Sequence, residues 1–331
     1  MSMFDLRLND VTEWIRLRGL SSVAVQLPEG LKIRATEIAD HIFSENNVPV
    51  IIIGDPCYGA CDLYTNYKYI ADGLIHFGHS PIPSLTKDEN IFFVEAFASV
   101  DIKEGITKIA SELPERVGLL ATVQYVNVLG TVKGTLEGLG KNVVIGKGDD
   151  RIRYEGQVLG CNCSAASQVA KDVDCFLFIG EGDFHPLAAA FGTEKEVKVF
   201  DPITNELRSV NETRDRILRK RFAAIEKAKD ADSFLVLVSS KIGQRRDALA
   251  DELVKKIISK GKKGYKAVME NITPDALLSY RTDAYVNTAC PRLAMDDSAR
   301  YGKPMLTPQE LEIAIGLRRW DDYEFDEIRG Q

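Results

Sequence analysis

Six cysteines hold most of the chemical potential of this 331-residue chain: Cys57, Cys61, Cys161, Cys163, Cys175 and Cys290. Thiolates are soft ligands for zinc, iron and iron–sulfur clusters, and they are strong nucleophiles. In a chain of this length, without an export signal, six cysteines are not expected to form a disulfide scaffold. Their spacing rules out the compact arrangements. Three residues stand between Cys57 and Cys61, and no third cysteine follows nearby. The tight ferredoxin runs are therefore absent, as are the paired CxxC units of structural zinc. Any metal centre must be assembled across the fold.

Each thiol also has a plain packing reading, because free cysteine behaves as a small hydrophobe. Cys175 leads a continuous apolar run and reads as core. Cys57 and Cys163 lean the same way. Spacing alone leaves Cys61, Cys161 and Cys290 open between packing and ligation. Among the four histidines, His41 sits in a helical stretch and reads as surface. His76 and His79 flank a strand end in LIHFGHS, and His185 lies in the GEGDFHP turn. A histidine could join three cysteines around zinc, so that alternative stays open. No GxxxxGK[ST] phosphate loop occurs. The loop SSKIGQRR can offer its backbone and Arg245 to a carboxylate or phosphate, or it can simply be solvated.

The elements that must position these residues alternate between strand and helix. Strands are expected in residues 23–30, 49–56, 74–80 and 91–97. They restart at 117–126, 142–146, 175–182 and 197–202, and again at 234–240 and 284–291. Several are continuous apolar runs, as expected of parallel strands covered on both faces. Helices are expected between them: Leu31, Ala35, Ile38 and Ile42 share one face. Asp101 is the expected cap of a helix over 102–113, and Ser164 that of a helix over 164–173. Residues 211–232 form a charged helix linking the second and third segments. The pattern predicts three similar parallel-sheet α/β domains, at residues 1–115, 116–210 and 211–331. One large sheet is the structural alternative. The cysteines fall near strand ends, where α/β proteins bind ligands.

Composition narrows the function. With 42 basic and 49 acidic residues the net charge is −7, which argues against nucleic acid as a partner. The Lys260–Lys266 run reads as a solvated helix end. No apolar stretch approaches a membrane span, and MSMFDLRLND lacks the apolar region of a signal peptide. A cytoplasmic protein with no membrane partner is expected.

The motifs DPCYGACD, GQVLGCN, GEGDFHP, SKIGQR and NTACPRL, in that order, resemble the archaeal diphthamide-biosynthesis family of 3-amino-3-carboxypropyl transferases acting on elongation factor 2. The resemblance spans about Val23 to Trp320. It implies three α/β domains around a pseudo-three-fold centre, each giving one cysteine to a 4Fe–4S cluster: Cys61 of YGACD, Cys161 of VLGCN and Cys290 of ACPRL. Three ligands leave one iron for S-adenosylmethionine, the co-substrate. Reductive cleavage then sends the aminocarboxypropyl group to C2 of a histidine imidazole and releases methylthioadenosine. Gln244 and Arg245 are the candidates for the methionyl carboxylate, with Asp183 and His185 as further pocket candidates. A homodimer and an external electron donor are implied as well. The alternative is a zinc-stabilised α/β binding or scaffold protein.

Overall fold

The computed structural model describes residues 4–330. Residues 1–3 and 331, which include the start of MSMFDLRLND and the outermost ends of the first and third segments, lie outside the described residues.

Three sheets form in succession. The first contains β1 (Val23–Gln26), β2 (Val50–Ile52), β3 (Gly73–Phe77) and β4 (Ile91–Val94). The second contains β5 (Arg116–Ala121), β6 (Asn142–Val144), β7 (Cys175–Ile179), β8 (Glu196–Asp201) and β9 (Glu206–Ser209). The third contains β10 (Ser233–Ser239), β11 (Lys263–Met269), β12 (Ala284–Asn287) and β13 (Met305–Leu306). The strand orders are β2-β1-β3-β4, β6-β5-β7-β8-β9 and β11-β10-β12-β13. Each sheet thus repeats one plan. Its first strand is central, the second lies to one side, and the third and fourth extend the other side. All pairings are parallel except β8 with β9. Three separate sheets replace the single-sheet alternative.

The central strands β1, β3, β7, β10 and β12 are buried along their whole length. Helices cover both faces, which explains their continuous apolar sequence. The helix Ala35–Asn46 buries Ala35, Ile38 and Ile42 against the first sheet. The helix Asp247–Ser259 buries Ala250, Leu253 and Ile257 in the third. Asn211–Lys229 does more than link segments: Ile217 packs in the second core, while Ile225 and Ala228 pack in the third.

Local chemistry departs from expectation at helix starts. Asp101 accepts from the Lys103 backbone N–H at 3.2 Å, but the N-cap position of helix Lys103–Ile109 is Ile102. Ser164 is the first helical residue of Ser164–Val169, and its hydroxyl donates to Asn162 Oδ1 at 2.6 Å. The short antiparallel β9 and the helices Leu8–Arg18 and Phe184–Gly192 have no counterpart in the sequence reading. Among the described residues no helix is long and apolar enough to cross a membrane.

Candidate metal centre

The C-terminal ends of the strands in all three sheets face one cavity of about 420 Å³. Cys61, Cys161 and Cys290 all line it. They reach it by different routes. Cys61 lies between β2 and β3, and Cys161 between β6 and β7. Cys290 lies one crossover later in its sheet, between β12 and β13. The three-fold arrangement of the sheets is therefore not matched by equivalent loop positions.

These thiols are electrostatic neighbours: Cys61 acts on Cys161, and both act on Cys290. Burial raises the pKa of all three, that of Cys161 to about 12. Three half-buried neutral thiols gain nothing from one another, and three thiolates would repel. A multiply charged metal centre removes that conflict by balancing the thiolate charge. The donor set therefore fits a cluster held by three cysteines. The other three are placed elsewhere. Cys163 packs in the second domain's core, Cys175 is buried in β7, and Cys57 is buried outside the cavity lining.

Polar groups back the thiols. The Gln244 amide donates to Cys61 Sγ at 3.3 Å. Arg151, buried, donates to the Gly243 carbonyl at 3.0 Å, and its charge lowers the pKa of both Cys61 and Cys161. Arg246 donates to the carbonyls of Thr288 and Ala289, just before Cys290. It also grips Asp326 through two bonds, at 2.8 and 2.6 Å. From Asp326 the C-terminal tail crosses behind Cys161, where the Ile328 N–H donates to the Cys161 carbonyl at 2.8 Å. One strap thus joins the Cys161 and Cys290 loops. Sequence reading missed Arg151, Arg246 and Asp326, since nothing local marks an arginine that will meet a distant carboxylate.

Close backbone approach is built in at two glycines. A Cβ on Gly160 would enter the Phe184 ring, 1.9 Å from a ring carbon. A Cβ on Gly243 would sit 2.3 Å from Cys61 Cα. Because that obstruction is backbone, Gly243→Ala must push the two loops apart. The expected outcome is a folded protein, by circular dichroism, that retains less than about half the iron and sulfide of the parent after anaerobic reconstitution. Full retention would show that the loops yield without moving Cys61.

The remaining candidates divide. His185 lines the cavity from the first turn of helix Phe184–Gly192. Gln244 is buried and reaches Cys61. Arg245 turns outward, 57% exposed, and pairs with Asp247 at 2.5 Å. Asp183 pairs with Arg208 at the surface side of its loop. Arg292 is the guanidinium that lines the cavity, stacked 4.8 Å from the Phe184 ring centre.

His79 and His185 are half-buried at the cavity wall, and desolvation there lowers the pKa of each to about 4, from an ordinary value of 6.5. His76, buried in β3, is shifted the same way. Folded-state pKa values below the unfolded ones make the unfolded chain the better proton acceptor. Stability is therefore complete above pH 6.5 and is lost as pH falls from there toward 4. Urea unfolding of the metal-free protein across that window should show a declining midpoint, shallower in His185→Gln. Equal slopes for parent and variant would remove His185 from the effect.

The chain belongs to the family described as "Putative diphthamide synthesis protein", which matches residues 27–325. It is 38% identical to the 2-(3-amino-3-carboxypropyl)histidine synthase of Pyrococcus horikoshii, over 99% of this chain and 95% of that one. The Methanocaldococcus jannaschii protein of the same name is 29% identical, over 93% and 87%. The crystal structure of Dph2 from Pyrococcus horikoshii with a 4Fe-4S cluster superimposes with a TM-score of 0.92 at 39% identity, covering 99% of this chain and 95% of that one.

Proposed function

We propose that this chain transfers a 3-amino-3-carboxypropyl group from S-adenosylmethionine to C2 of a histidine imidazole on elongation factor 2, the first step of diphthamide biosynthesis. The observation that carries this reading is the convergence of Cys61, Cys161 and Cys290, one from each sheet, on a single cavity. When bound there, a reduced 4Fe–4S cluster supplies an electron for cleaving the sulfonium carbon–sulfur bond, and its iron without a cysteine is open to the co-substrate.

The chain's own groups hold and orient. Cys61, Cys161 and Cys290 would ligate the cluster. The Gln244 N–H directed at Cys61 Sγ, together with the Arg151 charge, favours the thiolate form and tunes the potential. Arg292 is suited to the methionyl carboxylate, because it is the guanidinium at the cavity wall. Arg245, Asp183 and His185 complete the candidate set. Of these, His185 is the one at the wall, and its neutral ring can accept or donate one hydrogen bond. Apolar wall residues such as Ile82, Val123 and Val158 exclude water, which protects a reactive carbon fragment from quenching. Over the whole reaction one carbon–sulfur bond breaks, one carbon–carbon bond forms at C2, and the C2 hydrogen leaves as a proton together with the electron lent for the cleavage, so the transfer is redox-neutral overall. An external donor brings the centre to its reduced state, and the returned electron keeps it there. A homodimer, with the cavity of each protomer open to the protein substrate, is part of the same proposal.

The test is a mass measurement. Loaded, reduced protein is incubated with S-adenosylmethionine and elongation factor 2. A mass gain of one aminocarboxypropyl group on a single histidine of the factor is expected. An unmodified factor beside consumed S-adenosylmethionine would assign the transfer to another acceptor.

A further inference from the structure

Beside the three-cysteine centre, at the C-terminal ends of β1, β2 and β3, lies a second group of metal-binding side chains. Cys57, His76 and His79 each place a donor atom within 4.8 Å of the other two. None is assigned to the cluster. Cys57 and His76 are buried, and His79 forms part of the cavity wall.

The hydrogen bonds around His76 fix which nitrogen is free. The Gln26 amide is locked at both ends: its N–H donates to the Asp62 carbonyl at 2.8 Å, and its oxygen accepts from the Tyr64 N–H at 3.1 Å. That oxygen lies 2.8 Å from His76 Nδ1, so Nδ1 carries the proton. His76 Nε2 is then a bare lone pair, 3.0 Å from His79 Nδ1. A ligating histidine held from behind by an oxygen acceptor is the usual second layer of a metal site. Among the described residues Cys57 has a single, distant hydrogen-bond partner, the Gly59 carbonyl at 3.9 Å. Tetrahedral zinc, with bonds of about 2.0–2.3 Å, needs donors roughly 3.3–3.6 Å apart. To reach that spacing the two imidazole nitrogens open slightly from 3.0 Å, and any pair still as far apart as the 4.8 Å limit closes in. Lys241, the nearby cation, is already neutralised by Asp62 at 2.7 Å.

We propose that Cys57, His76 and His79 form a second site, for a divalent transition ion of borderline softness such as zinc or ferrous iron. One thiolate and two imidazoles suit that class. Binding releases the Cys57 thiol proton to solvent; His76 keeps its proton on Nδ1, and His79, which donates Nδ1–H to His76 in the metal-free chain, carries its proton on Nε2 once Nδ1 ligates. The ion ties the segment leading to Cys61 onto β3, so it steadies one cluster ligand from outside the cluster. The inference does not depend on the transfer reaction, and its test reads metal binding alone.

The probe is cobalt(II), added anaerobically to the full chain carrying Cys61→Ala, Cys161→Ala and Cys290→Ala, which silences the cluster ligands. One equivalent is expected to bind with tetrahedral visible bands and a thiolate charge-transfer absorption. Adding Cys57→Ala should abolish the charge-transfer band and weaken binding by more than about 100-fold. Absence of the band in the triple variant, or its survival after Cys57→Ala, would overturn the proposal and leave the histidines joined by an ordinary N–H···N bond. A second measurement covers a triple variant that fails to fold. Cluster-loaded parent and Cys57→Ala proteins are dialysed against zinc, and the zinc retained is counted. One zinc per chain in the parent and none in the variant supports the site; equal contents reject it.

Discussion

Replacing any one of Cys61, Cys161 or Cys290 by alanine is expected to cut bound iron to background and to lower methylthioadenosine formation by more than about 100-fold. Partners outside the ligand shell alone change metal sites by ten- to a hundred-fold, and a lost ligand costs more. The three positions are not interchangeable with the other thiols. Cys163 packs into the second core and Cys175 into β7. Cys163→Ala and Cys175→Ala should lose some stability by leaving small cavities, yet keep iron and activity. Iron, sulfide and product are measured on all five variants. A Cys163→Ala protein without iron, beside an iron-loaded Cys161→Ala protein, would reverse the assignment within the LGCNC segment.

The largest stability effect is expected at Arg221. This guanidinium is 1% exposed and Glu310 is fully buried. Arg221 donates to Glu310 at 2.8 and 2.5 Å, to the Ala294 carbonyl at 2.6 Å and to the Met305 carbonyl at 2.5 Å. It therefore ties the helix Asn211–Lys229 to β13, to helix Pro308–Ala314 and to the short helix Arg292–Met295 after Cys290. Arg221→Met keeps much of the volume but strands the Glu310 carboxylate in a dry site. Breaking one side of a buried pair costs about 3–5 kcal/mol. Arg221→Met with Glu310→Leu should recover part of the loss, because no unpaired charge remains. Recovery is incomplete because Glu310 also accepts from the Thr307 N–H at 2.8 Å in a capping box. Urea unfolding of parent, single and double variants measures this. A single variant within about 1 kcal/mol of the parent would show that the carboxylate is relieved by protonation or water.

The sheets were legible because parallel strands covered on both faces leave continuous apolar runs, as in FLVLV of β10 and CFLFI of β7. What escaped was held by features without such a signal. The helix Leu8–Arg18 starts at Arg7 in a left-handed conformation, φ 46°, with no side-chain cap. β9 is a half-exposed edge strand of mixed sequence, ELRS. GEGDFHP reads as a turn, yet its last residues already belong to a helix, with Pro186 tolerated in the first turn.

The site was legible to a different depth. Spacing alone could not separate Cys61 from Cys57, or Cys161 from Cys163. Motif resemblance made that choice, and the fold supplies a physical counterpart: two of the four face the cavity and two do not. Arg245 and Gln244 are neighbours in sequence but point apart, one to Asp247 and solvent, the other to Cys61. Side-chain direction in an irregular loop has no periodicity to reveal it. The Arg246–Asp326 strap and the Gly243–Cys61 approach join segments far apart in the chain, so only the folded structure exposes them.

The most direct test of the central claim is the identity of the nucleoside released when anaerobically loaded protein is reduced with S-adenosylmethionine present. Cleavage on the aminocarboxypropyl side predicts methylthioadenosine, in proportion to the iron and sulfide bound. Deoxyadenosine, or no nucleoside from a fully loaded sample even with elongation factor 2 present, would contradict it.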